Sequence, residues 1–294
     1  MNDDGVNMKH FASWGRWLVA APGSLIALAF FATSAMADQP HPWQMWSQEP
    51  ATPVMAEIDG LHTTLTWIMT AIVIFVLILL IYVMWRFNEK RNPVPSKNSH
   101  NTLLEIAWTG IPVLILVGIA SPSLSLLFYM DKAQDADITI KAIAHQWYWS
   151  YEYPDHGDFT FDAFIKEKDD LAEGEPRLLT TDTQVVVPVD TTIRILTASD
   201  DVIHSWAVPA LGVKIDSVPG RVQESWFKIA KEGTYYGQCS ELCGVNHGFM
   251  PIMVQVVSKE EFATWAAEQQ AALDGPGNSP MIVLSDTETR EQIQ

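Results

Sequence analysis

The sequence predicts two membrane-spanning helices followed by an all-β sandwich or barrel, and three observations carry that expectation. Two apolar stretches, 67–86 and 106–130, are free of charge until Arg86 closes the first, and each is long enough to cross a bilayer. Beyond Asp137 the chain changes to short β-branched runs separated by turn signals. Charge divides the same way: residues 131–294 hold 27 of the 35 acidic residues but only 12 of the 18 basic ones, within a net charge of −17. An acidic outer domain stays soluble, disfavours nucleic acid as a partner and favours a basic one.

The elements follow in order. Lys9 and Arg16 precede the apolar run Ser24 to Phe31, and Ala35-Met36-Ala37 then resembles a cleavage site, so 1–37 is expected to be a secretory signal peptide. Segment 38–60 then lies outside the membrane, and 61–87 forms the first helix, bounded by Trp67 and Trp85 at interface depth. Loop 88–104 begins just past Arg86 and carries Lys90, Arg91 and Lys97 against Glu89 alone; this basic cluster marks it as cytoplasmic. The second helix is 105–131, interrupted by Pro112 and Ser121-Pro122-Ser123, which suggests packing against other membrane helices. Both outer flanks therefore face the periplasm of a bacterial inner membrane.

Within 132–258 six strands are legible: Ile138 to Ala144, Gln146 to Tyr153, Gln184 to Val189, Thr192 to Leu196, Ser225 to Ile229 and Ile252 to Val257. Turns at Tyr153-Pro154-Asp155, Val218-Pro219-Gly220 and Lys231-Glu232-Gly233 suggest an antiparallel arrangement, with Asp158 to Pro176 a polar excursion. Region 259–294 opens with a helix, Lys259 to Leu273, acidic in its first turn, and ends in a loose tail from Asp274.

The chemistry concentrates in Cys239-Ser240-Glu241-Leu242-Cys243-Gly244-Val245-Asn246-His247-Gly248-Phe249-Met250, with His204 in a separate segment. Thiolate and thioether sulfurs favour copper over hard cations, and imidazole suits copper and zinc alike. A mononuclear blue-copper site takes one cysteine, so this cluster has a thiolate to spare; two thiolates can bridge two copper ions, each capped by a histidine. The ordinary alternative for an exported cysteine pair is a disulfide. Aromatics at alternating strand positions, such as Tyr148 and Tyr151, are ordinarily core.

The loop CSELCGVNHGFMP, the segment DDVIHSWAVP and the run AHQWYWSYEYP together resemble cytochrome c oxidase subunit II. The resemblance runs from the first membrane helix to the last strand. It implies a cupredoxin-like sandwich holding a binuclear CuA centre, with Cys239 and Cys243 bridging both coppers, His204 and His247 each binding one, Met250 a weak axial ligand, and the Glu241 carbonyl serving the other copper. It further implies that the Glu241 side chain binds Mg2+ or Mn2+ shared with subunit I. Trp147 matches the residue that accepts electrons from cytochrome c, and Glu152, Asp182 and Asp201 match acids that dock it. Glu105 matches the cytoplasmic mouth of a proton path. The implied activity is electron transfer from cytochrome c to haem a in subunit I, which reduces oxygen and pumps protons. A membrane-anchored periplasmic copper-delivery protein is the alternative. No Cys-x-x-Cys-His occurs, so the donor is expected to be a separate protein.

Overall fold

The computed structural model describes residues 39–131 and 135–274. The expected signal peptide and the tail beyond Asp274 lie outside the described residues.

Helix α1 spans Pro53–Arg86. Its start follows from local chemistry: Thr52 is extended, its hydroxyl accepts the Met55 amide at 3.0 Å, and Pro53 occupies the first helical turn. The helix thus begins before residue 61, because a polar first stretch with Glu57 and Asp59 can be helical without being apolar. Its 34 residues reach about 50 Å, against about 30 Å of hydrocarbon, so one end projects. The projecting end is fastened to the β domain. Thr52 donates its hydroxyl to the Leu211 carbonyl at 2.8 Å, and the Ala51 amide donates to the Ala210 carbonyl at 2.9 Å. Gly212, at φ +69°, keeps this contact close: a Cβ there would lie 3.1 Å from the Met55 backbone. Thr52→Val should therefore cost about 2 kcal/mol, one cap and one buried hydrogen bond. The check is the unfolding temperature of the detergent-solubilised chain, which should fall by several degrees.

Helix α2 spans Thr102–Asp131, and the Asn101 side chain caps it by accepting the Leu104 amide at 3.1 Å. Pro112 and Pro122 lie inside a continuous helix, correcting the expected interruption. Each proline removes one amide donor, but opening the helix in lipid would strand several more backbone groups. Both helices are long and apolar enough to cross a membrane, and most of their large side chains face outward. At its outer end α2 meets the β domain through Tyr129, edge-on to Trp226 at 5.4 Å.

The β domain has ten strands: β1 Ile138–His145, β2 Tyr148–Tyr153, β3 Phe159–Ala163, β4 Val185–Pro188, β5 Thr192–Ser199, β6 His204–Val208, β7 Val213–Ser217, β8 Gln223–Lys228, β9 Gly233–Gln238 and β10 Pro251–Val257. They form a five-stranded sheet ordered β3-β2-β1-β5-β8, a three-stranded sheet ordered β4-β10-β9, and the pair β6-β7. The sandwich is mixed, since β1 runs parallel to β5 and β4 parallel to β10. The antiparallel expectation fails there because long excursions separate each pair in sequence, leaving room for crossovers that hairpin turns do not reveal.

Four strands escaped the pattern. The polar excursion conceals β3, whose alternation buries Phe159 and Ala163 at its ends. In β6 all five residues are buried, so no alternation exists to be read. Strand β7 is short and half polar, and β9 contains two glycines, which ordinarily count against a strand. Between the sheets lie Ile140, Trp149, Ile193, Ile195, Phe227 and Val254. Tyr151 joins this core, whereas Tyr148 is half-buried in a surface stack between His145 and Phe164. Helix α3, Lys259–Asp274, opens on a reciprocal Ser258–Glu261 cap and lays Trp265 edge-on to Tyr153 and Phe159.

Candidate metal centre

The ligand-type side chains converge at one end of the sandwich. His204 opens β6, the Cys239–Cys243 loop leaves the end of β9, and Met250 immediately precedes β10. Backbone bonds hold the three segments in register: the Cys239 amide donates to the Met250 carbonyl at 3.3 Å, and the Ser240 amide to the Ser205 carbonyl at 3.0 Å. His204, Cys239, Cys243 and Met250 are buried; His247 is partly exposed.

The two sulfurs stand 3.8 Å apart, nearly twice the covalent distance of about 2.0 Å, so the cysteines are free thiols and not a disulfide. Around them, His204 Nδ1 lies 3.8 Å from Cys239 Sγ and 3.2 Å from Met250 Sδ. On the outer side, His247 Nδ1 lies 3.6 Å from Cys243 Sγ, and Met250 Sδ is at 3.6 Å from the same sulfur. The Glu241 carbonyl oxygen is 3.3 Å from Cys239 Sγ. One nitrogen or sulfur atom each from His204, Cys239 and Cys243 falls within 4.8 Å of the others, compact enough to surround an ion.

Asp201 determines which imidazole nitrogen faces the sulfurs. Its Oδ1 lies 2.8 Å from Nε2 of His204, so Nδ1 faces Cys239 and Met250; in the neutral imidazole that can take a metal, Nε2 donates to Asp201 and Nδ1 carries the lone pair. Burial disfavours a charged His204, but contacts with Cys239 and Asp201 outweigh it and raise its pKa. Burial likewise pushes the Cys239 thiol up, yet His204, the backbone of Glu241 and Ser205, and His247 together outweigh it and draw it down to about 6. Cys243 is pushed up to about 12 by burial and then by the adjacent Cys239 thiolate. Two thiolates this close need a cation between them to ionise together. Soft sulfur with imidazole, at a largely buried set of side chains, fits copper.

The other candidate residues divide into two groups. Trp147 joins the site: its indole N–H donates to the Cys243 carbonyl at 3.2 Å. The Glu241 side chain is exposed on the loop. Glu105 belongs to the first turn of α2, away from the loop, where it pairs with His100 at 2.7 Å. Glu152 is bound to Lys141 across β1 and β2. Asp182 accepts the Phe164 and Thr183 amides at 2.8 and 2.7 Å. Each of the three expected docking acids thus has an internal partner, Asp201 most of all. Sequence reasoning missed Gln146, whose side-chain amide donates to the Cys243 carbonyl at 2.8 Å, and Trp149, buried edge-on to His204 at 6.2 Å. Both stand in the run AHQWYWSYEYP, from which only Trp147 was singled out.

Residues 138–257 match the family of cytochrome c oxidase subunit II periplasmic domains, and residues 40–126 match the transmembrane domain of the same subunit. The chain is 51% identical over 258 residues to a probable cytochrome c oxidase subunit 2 of Rickettsia bellii, covering 88% of this chain and 96% of that one. It is 48% identical over 251 residues to cytochrome c oxidase subunit 2 of Zea mays, covering 83% and 96%. Among solved structures, the periplasmic domain of subunit II of cytochrome oxidase from Bradyrhizobium japonicum is 52% identical, with a TM-score of 0.45 over 48% of this chain and 99% of that one.

Proposed function

Because this chain belongs to the cytochrome c oxidase subunit II family, we propose that it accepts electrons from a cytochrome c at a binuclear CuA centre and passes them to haem a of subunit I. The observation that carries this reading is the pair of unjoined sulfurs 3.8 Å apart, with His204 Nδ1 3.8 Å from the Cys239 sulfur and His247 Nδ1 3.6 Å from the Cys243 sulfur. When bound, the copper pair supplies reversible one-electron chemistry. Everything else is contributed by the protein. Cys239 and Cys243 would hold the pair through their sulfurs, His204 and His247 through one nitrogen each, and Met250 and the Glu241 carbonyl would add weaker donors. His204 opens β6, and backbone bonds from Cys239 to Met250 and from Ser240 to Ser205 tie the loop's ends to that strand, so part of the donor set is placed by the fold itself.

Trp147 is the proposed point of electron arrival, because its indole hydrogen-bonds directly to a ligand residue's backbone. The Glu241 side chain, exposed beside the cysteines, is proposed to bind Mg2+ or Mn2+ shared with subunit I. Glu105, in the first turn of α2 after the basic loop, is proposed to admit protons on the cytoplasmic side of a bacterial inner membrane. The acidic domain attracts a basic cytochrome c through its overall field. Since Glu152, Asp182 and Asp201 have internal partners, their part in docking is a share of that field. Oxygen reduction takes place in subunit I.

A copper-delivery protein would need exchangeable ligands, whereas His204 and Met250 are wholly enclosed here. Metal analysis with electron paramagnetic resonance of the purified oxidase decides between them. Two coppers on this subunit sharing one unpaired electron are expected; one labile copper would replace the proposal with delivery.

A further inference from the structure

Gln146 is exposed on the surface, yet it is bonded at both ends. Its backbone amide donates to Asp201 Oδ2 at 2.6 Å, the carboxylate whose other oxygen holds His204 Nε2 at 2.8 Å. Its side-chain amide donates to the Cys243 carbonyl at 2.8 Å, the oxygen that also accepts the Trp147 indole N–H at 3.2 Å. One residue therefore connects the His204 side of the centre to the Cys243 side, and Trp147 is next to it in sequence. The indole also presses on Gly244, where an added Cβ would lie 2.9 Å from Trp147 Cζ2 and 3.2 Å from Gln146 Nε2. Gly244 has φ +124°, so glycine is favoured twice, by backbone angle and by the ring against it.

We propose that Gln146 is a positioning residue for electron transfer: it clamps the Trp147 indole against the Cys243–Gly244 backbone and ties that contact to the His204 side through Asp201. This rests on the reading of Trp147 as the point of electron arrival. The physical argument is one of freedom. A single 3.2 Å hydrogen bond leaves a partly exposed indole able to swing outward, whereas the Gln146 amide places a second donor on the same carbonyl and anchors the preceding backbone. The Asp201 carboxylate fixes that anchor to the imidazole. Closer, narrower placement of a reacting group raises its rate without changing its affinity for a partner.

Gln146→Met keeps the length and removes the side-chain donor. In the purified oxidase it should leave copper content, the resonance signature and the salt dependence of cytochrome c binding unchanged. Electron arrival in a single turnover should slow about tenfold, the usual scale for losing an outer supporting bond. Radical footprinting, read by mass spectrometry, should find Trp147 more readily oxidised, in copper-free as in copper-loaded enzyme. Wild-type rate and wild-type labelling would overturn the clamp, as would an altered copper signature, which would show Gln146 acting on the ligands themselves. Trp147→Ala run alongside separates the two failures: slow transfer there with normal transfer in Q146M removes only the clamp, and normal transfer in both removes the role of Trp147 too.

Discussion

Cys239→Ser is expected to bring the two-copper resonance signature to background while leaving the β domain folded. Cys239 Sγ lies 3.8 Å from Cys243 Sγ, 3.8 Å from His204 Nδ1 and 3.3 Å from the Glu241 carbonyl, so it is adjacent to three of the five other proposed donors. Serine offers a hard oxygen that stays protonated, and a soft ion has little affinity for it. The remaining Cys243 with two histidines and a methionine is a mononuclear set, so any residual copper should appear as a single ion. Folding should survive because the cysteine amide, which bonds the Met250 carbonyl, is unchanged. The buried hydroxyl costs about 1–3 kcal/mol if unpartnered. Retention of the two-copper signature in this variant would show that the sulfurs do not act as the shared ligands.

That such a variant can be designed from this loop reflects how local the signal is. Ligand-type residues from Cys239 to Met250 are near in sequence and near in space, so their chemistry is legible as a string. His204 was legible as a ligand-type residue set apart from the loop, but not the strand it opens, because a wholly buried strand gives no alternation; its pairing with the loop came from the family resemblance. Charge was harder. Asp201 reads as one surface acid among many, but in the fold its oxygens receive His204 Nε2, the Gln146 amide and the Val202 amide, at 2.8, 2.6 and 2.6 Å. Burial opposes ionisation of Asp201, and those donors reverse the balance and lower its pKa. No spacing rule announces such convergence, because Gln146 and Asp201 lie on different strand ends brought together by the parallel pairing of β1 with β5. The membrane helices show the opposite case. Their apolar spans were plain, but where α1 begins depended on Thr52, whose two hydrogen bonds have nothing to do with lipid.

Trp147→Ala is expected to slow electron arrival from cytochrome c by on the order of 100-fold or more, the scale reached when a reacting group is displaced from its partner. Copper content should be normal, because no metal-donor atom belongs to Trp147, the Gln146 amide still holds the Cys243 carbonyl, and the backbone bonds of Cys239 and Ser240 do not involve the indole. The indole is only partly buried, so its loss should cost about 1–2 kcal/mol, less than full burial of an aromatic side chain would. Trp147→Phe sharpens the result. It keeps a ring against Gly244 but cannot donate to the Cys243 carbonyl, so its rate should fall between wild type and alanine. If the phenylalanine variant matches wild type, ring contact alone suffices; if it matches alanine, the hydrogen bond to the ligand's carbonyl is the route. Transfer at the wild-type rate in the alanine variant, with copper intact, would mean that electrons arrive elsewhere. The exposed apolar side chains Leu242, Val245 and Phe249 on the same loop would then be the next residues to replace.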